Sequence, residues 1–214
     1  AGVTGQVCPA MGKCRVAVFA ADNGVVAEGV TQTDSSVTAV VTENFARGIA
    51  SVNCMASVAG ADVIPVDIGV MGEIKEPGVR NCRIANGTNN MRKEPVMSRE
   101  QALEALHTGI RLASELKDSG YDLLAVGEMG IGNTTTSSAV ASVLLQAPVE
   151  LVTGRGAGLS NAGLEKKIEV IKEAIALHHP DPEDPLAVLE SVGGFDIAGM
   201  CGLMLGGAIY RIPV

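Results

Sequence analysis

Glu128 has the setting in this chain that most invites chemistry. It lies in the stretch AVGEMGIGNTTTSSAV, Ala125 to Val140, where an apolar run stops at Gly127 and a hydroxyl-rich segment begins after Gly130 and Gly132. Glycines let a backbone come close to a ligand. Free N–H groups at a helix start, joined by the side chains of Asn133, Thr134 and Thr135, can receive an anion such as phosphate. A carboxylate beside a bound phosphate repels it. Glu128 would therefore serve something else, a ribose hydroxyl or a positive charge that develops during reaction. The plainer reading is a tight strand-to-helix turn, with Asn133 as its N-cap and Glu128 solvated. The glycines at 127, 130 and 132 do not match the dinucleotide fingerprint, and no Lys-Ser/Thr pair follows to make a P-loop. The residues alone leave both readings open.

A second glycine-rich junction, GRGAGLSNAGLEKK, runs from Gly154 to Lys167. Gly156 would complete an anion site there, with Lys167 or Arg155 supplying charge; on the plainer view the lysines line a solvated helix face. Asp22 and Asn23 end the first apolar run and either bind a hydroxyl or cap a turn. Asp196, in VGGFDIAGM, either caps the helix that follows or puts a carboxylate at the mouth of the sheet. The three histidines are scattered, and His178 and His179 end a helix, where a dipole role suffices. The five cysteines are scattered too, odd in number and without CxxC or Cys/His pairing, which reads as buried free thiols and no metal site.

These residues need a scaffold, and the pattern of the chain supplies one. Apolar β-rich runs at Cys14–Gly24, Ala61–Val70 and Tyr121–Met129 read as strands, with a further strand at Val149–Gly158 and a short one at Val79–Ile84. Helical spacing runs from Ser35 to about Gly60, with Asp34 or Ser35 as cap. Ser98–Gly120 is the clearest helix: Ser98 with Gln101 makes a capping box and Gly120 marks the stop. Helices follow at Asn133–Gln146 and Asn161–His179, and two more at DPLAVLESVGG and FDIAGMCGLMLGGAIYR, the last apolar enough to be buried. Strand and helix alternate, so the expected fold is α/β, a Rossmann-like parallel sheet with helices on both faces. In such sheets ligands sit beyond the carboxyl ends of the strands, where Asp22, Glu128 and Gly154 fall.

Bulk properties agree. The chain has 214 residues, 47% of them hydrophobic but only 2% aromatic, so small aliphatic side chains must fill the core. The net charge of −8 argues against a nucleic-acid partner. No apolar run is long enough to span a bilayer, and no signal peptide is evident, so no membrane partner and a cytoplasmic location are expected.

Taken together, the stretches FAADNGVVAEGV, VTAVVTENFARG, VDIGV, NGTNNM, VGEMGIGNTTTSSA, GAGLSNAGLEKK and VGGFDIAGMCGLMLGGA resemble the nicotinate-nucleotide–dimethylbenzimidazole phosphoribosyltransferases of cobalamin biosynthesis. They span nearly the whole chain, and GEMGIGNTT is the most specific. The resemblance implies transfer of phosphoribose from nicotinate mononucleotide to a benzimidazole, with inversion at the anomeric carbon, and the departure at Val41 extends the expected acceptors to phenolic bases. It implies no metal, no organic cofactor and a homodimer. It assigns phosphate and ribose to Gly127, Gly130, Gly132, Asn133, Thr134, Thr135, Gly156 and Lys167, with Glu128 in a supporting catalytic role. It assigns the incoming base to a pocket of Asp22, Thr33, Val41 and Met129, and an acidic position at the site's mouth to Asp196.

Three departures stand out. Asn23 occupies a position where the family often has His, and Val41 one where it often has Gln, which makes the base pocket more apolar. The family's general-base glutamate belongs to a C-terminal GEG-type segment that lies beyond Val214. The expectation is a core incomplete at both ends, with the small helical domain largely absent and no turnover by these residues alone. The alternative is a truncated module that binds nicotinate mononucleotide or another phosphorylated sugar without catalysis.

Overall fold

A computed structural model describes Val7 and residues 12–214. Four parallel strands form one sheet in the order β3-β2-β1-β4: β1 is Cys14–Ala21, β2 Ala61–Gly69, β3 Arg80–Asn81 and β4 Leu123–Met129. A strand buried on both faces should read as a continuous apolar run, and VAVFAA in β1 does.

Helices cover both faces. Helices α1 (Ser36–Arg47) and α2 (Ser51–Val58) join β1 to β2, and Val16 points to the α2 side. Phe19, of opposite parity along the strand, points to the other face. There α8 (Phe195–Tyr210) lies so close that a Cβ on Gly199 would come within 2.6 Å of Phe19 and 2.9 Å of Ile68. Phe19 and Ile68 are wholly buried, each worth about 2–3 kcal/mol of burial. Behind α8 lies α3 (Arg99–Asp118), backbone against backbone. A Cβ on Gly109 would sit 2.2 Å from the Gly199 carbonyl oxygen, and one on Gly202 would sit 2.1 Å from that of Leu106. The capping box expected at Ser98 starts α3: Gln101 N–H donates to Ser98 Oγ and Ser98 N–H to Gln101 Oε1.

Helices α4 (Asn133–Leu144), α5 (Val149–Val152), α6 (Asn161–His178) and α7 (Pro185–Val192) complete the chain. Several local expectations need correction. The strand expected at Val149–Gly158 is the one-turn helix α5 and a turn, because Pro148 and Glu150 start a helix that no neighbouring strand competes for. The helix expected from Ser35 to Gly60 breaks in two at Gly48, whose φ of +77° ends α1. Asn133 does not cap α4; Gly132 does, at φ +93°. Cys14, Cys82 and Cys201 are half-buried and Cys54 is exposed; all four are free, but none is fully buried. Cys8 lies outside the described residues. Helix α8 is buried only on its α3 and sheet side; Met204, Leu205 and Ile209 on its other side are exposed.

Candidate phosphate and ribose site

The site forms where β1 and β4 end side by side. Phe19 pairs with Glu128 and Ala20 with Met129, so the two strands release their chains at the same level. Just past this point β1 slips against β2: Ala20 faces Asp67 but Ala21 faces Gly69. Such a bulge turns the strand end, and Asp22 N–H then closes on the Gly69 carbonyl at 2.9 Å. From β4 the chain turns through Gly130 and Gly132 into α4. Gly130 is obligatory there, since a Cβ would lie 2.0 Å from the Ala21 carbonyl oxygen.

A cavity of about 210 Å³ opens over this turn. Met129, Gly130, Gly132, Asn133 and Thr134 form one wall, Arg155 and Gly156 a second, and Val30 to Thr33 a third. Thus Thr33 and Met129, expected in the base pocket, meet the expected phosphate residues in one cavity. Gln32 closes the rim by donating its side-chain N–H to the Gly158 carbonyl at 2.6 Å.

Lys167 is the decisive side chain. It is wholly buried, unlike its exposed neighbour Lys166, so the solvated-face reading fails for it. Its Nζ donates to Thr134 Oγ1 at 2.8 Å and to the Gly154 carbonyl at 3.1 Å. A Cβ on Gly156 would lie 3.7 Å from that Nζ, so the ammonium sits just behind the cavity wall. Lys167 joins no ion pair among the described residues, and burial pulls its pKa down. A buried cation without a counter-charge is costly, and an anion in the cavity would relieve that cost.

Glu128 is exposed as a residue at the end of β4, and its carboxylate accepts from the Asn133 side chain. Burial of the carboxyl raises its pKa, with the Asn133 hydrogen bond opposing. Gly127 faces open space beside it. Thr135 is wholly buried at the start of α4, and its hydroxyl has no partner.

Two residues lie deeper than expected. Asp22 is buried beneath the cavity, not in it; burial raises its pKa, while Thr38, the Met71 N–H and Ser35 stabilise its charge. Asp196 is not at the mouth and caps nothing: Gly194 is the N-cap of α8, and both Asp196 oxygens are buried without partners. Val41 is half-buried on α1 and does not line the cavity. For the two acids the reason is tertiary: the bulge tucks Asp22 under the turn, and the close packing of α8 carries Asp196 in with it. Thr38 is the residue supporting this turn that sequence reasoning misses. It is buried on α1, and its Oγ1 accepts from Ile131 N–H at 3.2 Å. The signal is there: Thr38 and Thr42 are polar residues on the apolar face of a helix.

With the geometry in place, comparisons identify the family. A family profile described as Phosphoribosyltransferase matches residues 1–214. The nicotinate-nucleotide–dimethylbenzimidazole phosphoribosyltransferase of Clostridium acetobutylicum is 51% identical over 213 residues, covering 100% of this chain and 60% of that protein. The chain belongs to the nicotinate-nucleotide–dimethylbenzimidazole phosphoribosyltransferase family. The Ruminiclostridium cellulolyticum member of the same name is 49% identical over 214 residues and is covered to 61%. The crystal structure of CobT from Thermus thermophilus superposes with a TM-score of 0.93 at 39% identity, covering 99% of this chain and 64% of that one. The chain therefore spans about 60% of the length of the curated relatives it matches. The family and the α/β fold expected from the motifs are borne out.

Among the described residues no helix is long and apolar enough to cross a membrane, and no group of three or more His, Cys, Asp or Glu is placed to hold a metal ion.

Proposed function

We propose that this chain supplies the nicotinate-mononucleotide site of a phosphoribosyltransferase. The reaction moves phosphoribose to 5,6-dimethylbenzimidazole or a related base, releasing nicotinate and giving α-ribazole phosphate. The observation that carries this reading is the buried, unneutralised Lys167 behind a cavity of glycines and threonines. The 5′-phosphate binds against Gly156, Thr134 and the N–H groups at the start of α4, with Lys167 as counter-charge and buried Thr135 behind that turn. Gly127, Gly130, Gly132 and Asn133 shape the ribose end.

Displacement of nicotinate builds positive charge on the anomeric carbon, as at a glycosidic centre. Glu128, next in sequence to the cavity-lining Met129 and bonded to the cavity-lining Asn133, stabilises that charge. Thr33 and Met129 line the side from which the base arrives, opposite the leaving nicotinate, which accounts for inversion. The bond from carbon to the base nitrogen forms as the bond to the nicotinate nitrogen breaks. The base then sheds its ring proton, a step that this reading assigns to no described residue. The exposed side of α8 at Met204, Leu205 and Ile209 suits a homodimer contact, and the free thiols suit a cytoplasmic location.

Calorimetric titration tests the reading. Nicotinate mononucleotide should bind, ribose 5-phosphate more weakly, and nicotinate alone hardly at all. Equal binding of all sugar phosphates would favour a phosphorylated-sugar module of another kind. Binding without product formation, in a form that includes the rest of the relatives' length, would favour the non-catalytic module.

A further inference from the structure

Beneath the cavity lies a cluster of buried acceptors that the reading above does not use. Asp196 is wholly buried, and neither of its carboxyl oxygens has a hydrogen-bond partner among the described residues. Asn23 is buried beside it, and its Oδ1 is also unpartnered. The two face one point: a Cβ built on Gly194 would lie 2.3 Å from Asp196 Oδ1 and 3.0 Å from Asn23 Oδ1. The orientation of the Asn23 amide is fixed from its other end, where Nδ2 donates to the Ile131 carbonyl at 3.4 Å. Turning the amide over would set two carbonyl oxygens against each other there. With the amide in this orientation Oδ1 lies on the side of Gly194 and Asp196, and two unpartnered acceptors flank one point in a space with no metal-binding group of acids among the described residues. A proton between them resolves the conflict; leaving both unsatisfied would cost several kcal/mol.

We propose that Asp196 is held as a neutral carboxylic acid whose O–H donates to Asn23 Oδ1, and that it positions the Gly130–Gly132 turn through Asn23. Asn23 is well placed to transmit this. A Cβ on Gly130 would lie 3.1 Å from Asn23 Nδ2, and one on Gly132 would lie 3.2 Å from Asn23 Cβ, so the turn rests directly on this side chain. Ile131 N–H is held from the opposite side by Thr38. The turn that lines the cavity is thus pinned at both polar groups of Ile131, by Asn23 below and by Thr38 on α1.

The charges around Asp196 favour the neutral form. Burial is the largest influence, followed by Glu128 on β4, with Asp22 at the end of β1 adding to it; together they push the carboxyl up to about 7. The N–H groups of Ile197 and Asp196 oppose this without meeting hydrogen-bond geometry. Among the described residues the other elements bring no cation to it. The charged residues of α3 lie on its exposed side, Asp67 of β2 is paired with Arg83, Glu190 of α7 with Arg99, and Lys167 of α6 is turned to Thr134 and Gly154.

Infrared difference spectroscopy and hydrogen exchange test this without any ligand, and so independently of the proposed function. At pH 6 the wild type should show the carbonyl stretch of a buried protonated carboxyl that Asp196→Asn lacks. Amide protection across residues 130–135 should match in wild type and Asp196→Asn near about pH 4, the unfolded value of the acid, because the new amide can donate to Asn23 in place of the acid. As pH rises from there toward 7, wild-type protection should fall relative to Asp196→Asn by up to about tenfold per unit, and the difference should level off above 7. Asp196→Ala should be less protected at every pH. Absence of the carboxyl band, or protection that tracks in parallel in wild type and Asp196→Asn across this range, would overturn the proposal. An Asp196→Ala that does not fold leaves both deciding comparisons intact.

Discussion

The Nζ of Lys167 lies 2.8 Å from Thr134 Oγ1, in the interior of the protein and without an ion-pair partner among the described residues. The Thr134 hydroxyl and the Gly154 carbonyl are both neutral partners for a buried ammonium, so a bound anion would be its one counter-charge among the described residues.

Lys167→Met should therefore have opposite effects on binding and stability. A hydrogen bond to a charged group contributes about 1.5–3 kcal/mol, so affinity for nicotinate mononucleotide should fall by about 10- to 150-fold. The melting temperature of the free protein should hold or rise, because Met fills the volume without a desolvated charge. Calorimetry and a thermal melt on one preparation check both. Unchanged affinity would remove Lys167 from the site.

Two glycines of the site should fail in different ways. Gly156 sits at φ +56°, and a Cβ there would lie 2.8 Å from Thr134 Oγ1. Gly156→Ala should cost about 1–2 kcal/mol of strain, a melting shift of roughly 2–8 °C, and should weaken binding by displacing the Thr134 hydroxyl. Gly130→Ala drives its methyl into the Ala21 carbonyl, a backbone atom that cannot rotate away. It should cost over about 3 kcal/mol, seen as loss of folded protein on heating well before Gly156→Ala melts.

Glu128→Gln separates binding from chemistry. The amide keeps the shape but not the charge, so nicotinate mononucleotide affinity should stay within about threefold while turnover falls by roughly 10²–10³ in a form that turns over. Since the Glu128 pKa is raised, wild-type turnover should also decline as pH falls through that value. A flat acid limb in wild type would count against an ionised Glu128.

Stability should carry the mark of Asp196. Its pKa is raised from 3.8 to about 7 on folding, so between those values the native state holds the proton more tightly than the unfolded chain. The stabilisation is therefore full below the unfolded value and is lost as pH rises toward 7, by up to about 1.4 kcal/mol per unit. Asp22 and Glu128 are shifted in the same direction, and the surface acids Glu28, Glu43 and Glu115 in the other. The difference between wild type and Asp196→Asn in urea melts from about pH 3.5 to 7.5, a window that brackets the loss, isolates the one group. A difference that does not change with pH would refute the assignment.

How much of this is legible in the sequence follows the range of the interactions involved. The three long strands, the Ser98 capping box and the Gly130–Gly132 turn rest on local periodicity and backbone chemistry, and the sequence displays them. The burial of Lys167 rests on α6 meeting α4, and no spacing within LEKKIEV distinguishes Lys167 from exposed Lys166. Asp22 and Asp196 read locally as site carboxylates on a surface. Their depth depends on a bulge between β1 and β2 and on how closely α8 approaches the sheet, which only the tertiary structure specifies. The false strand at Val149–Gly158 is the converse case: the local pattern allows it, and no free sheet edge claims it.

The seam of α3 and α8 has a mechanical consequence. Contact is backbone to backbone, and a Cβ on Gly206 would meet that of Ala113 at 2.6 Å. Gly206 and Asp196 are about ten residues, or about 15 Å of helix, apart. Helix α8 is thus a stiff lever whose fulcrum is the glycine seam and whose tip is a buried acid. A methyl group added at the far end would tilt the rod, and the disturbance would emerge under the Gly130–Gly132 turn, in a part of the protein that the altered residue never touches.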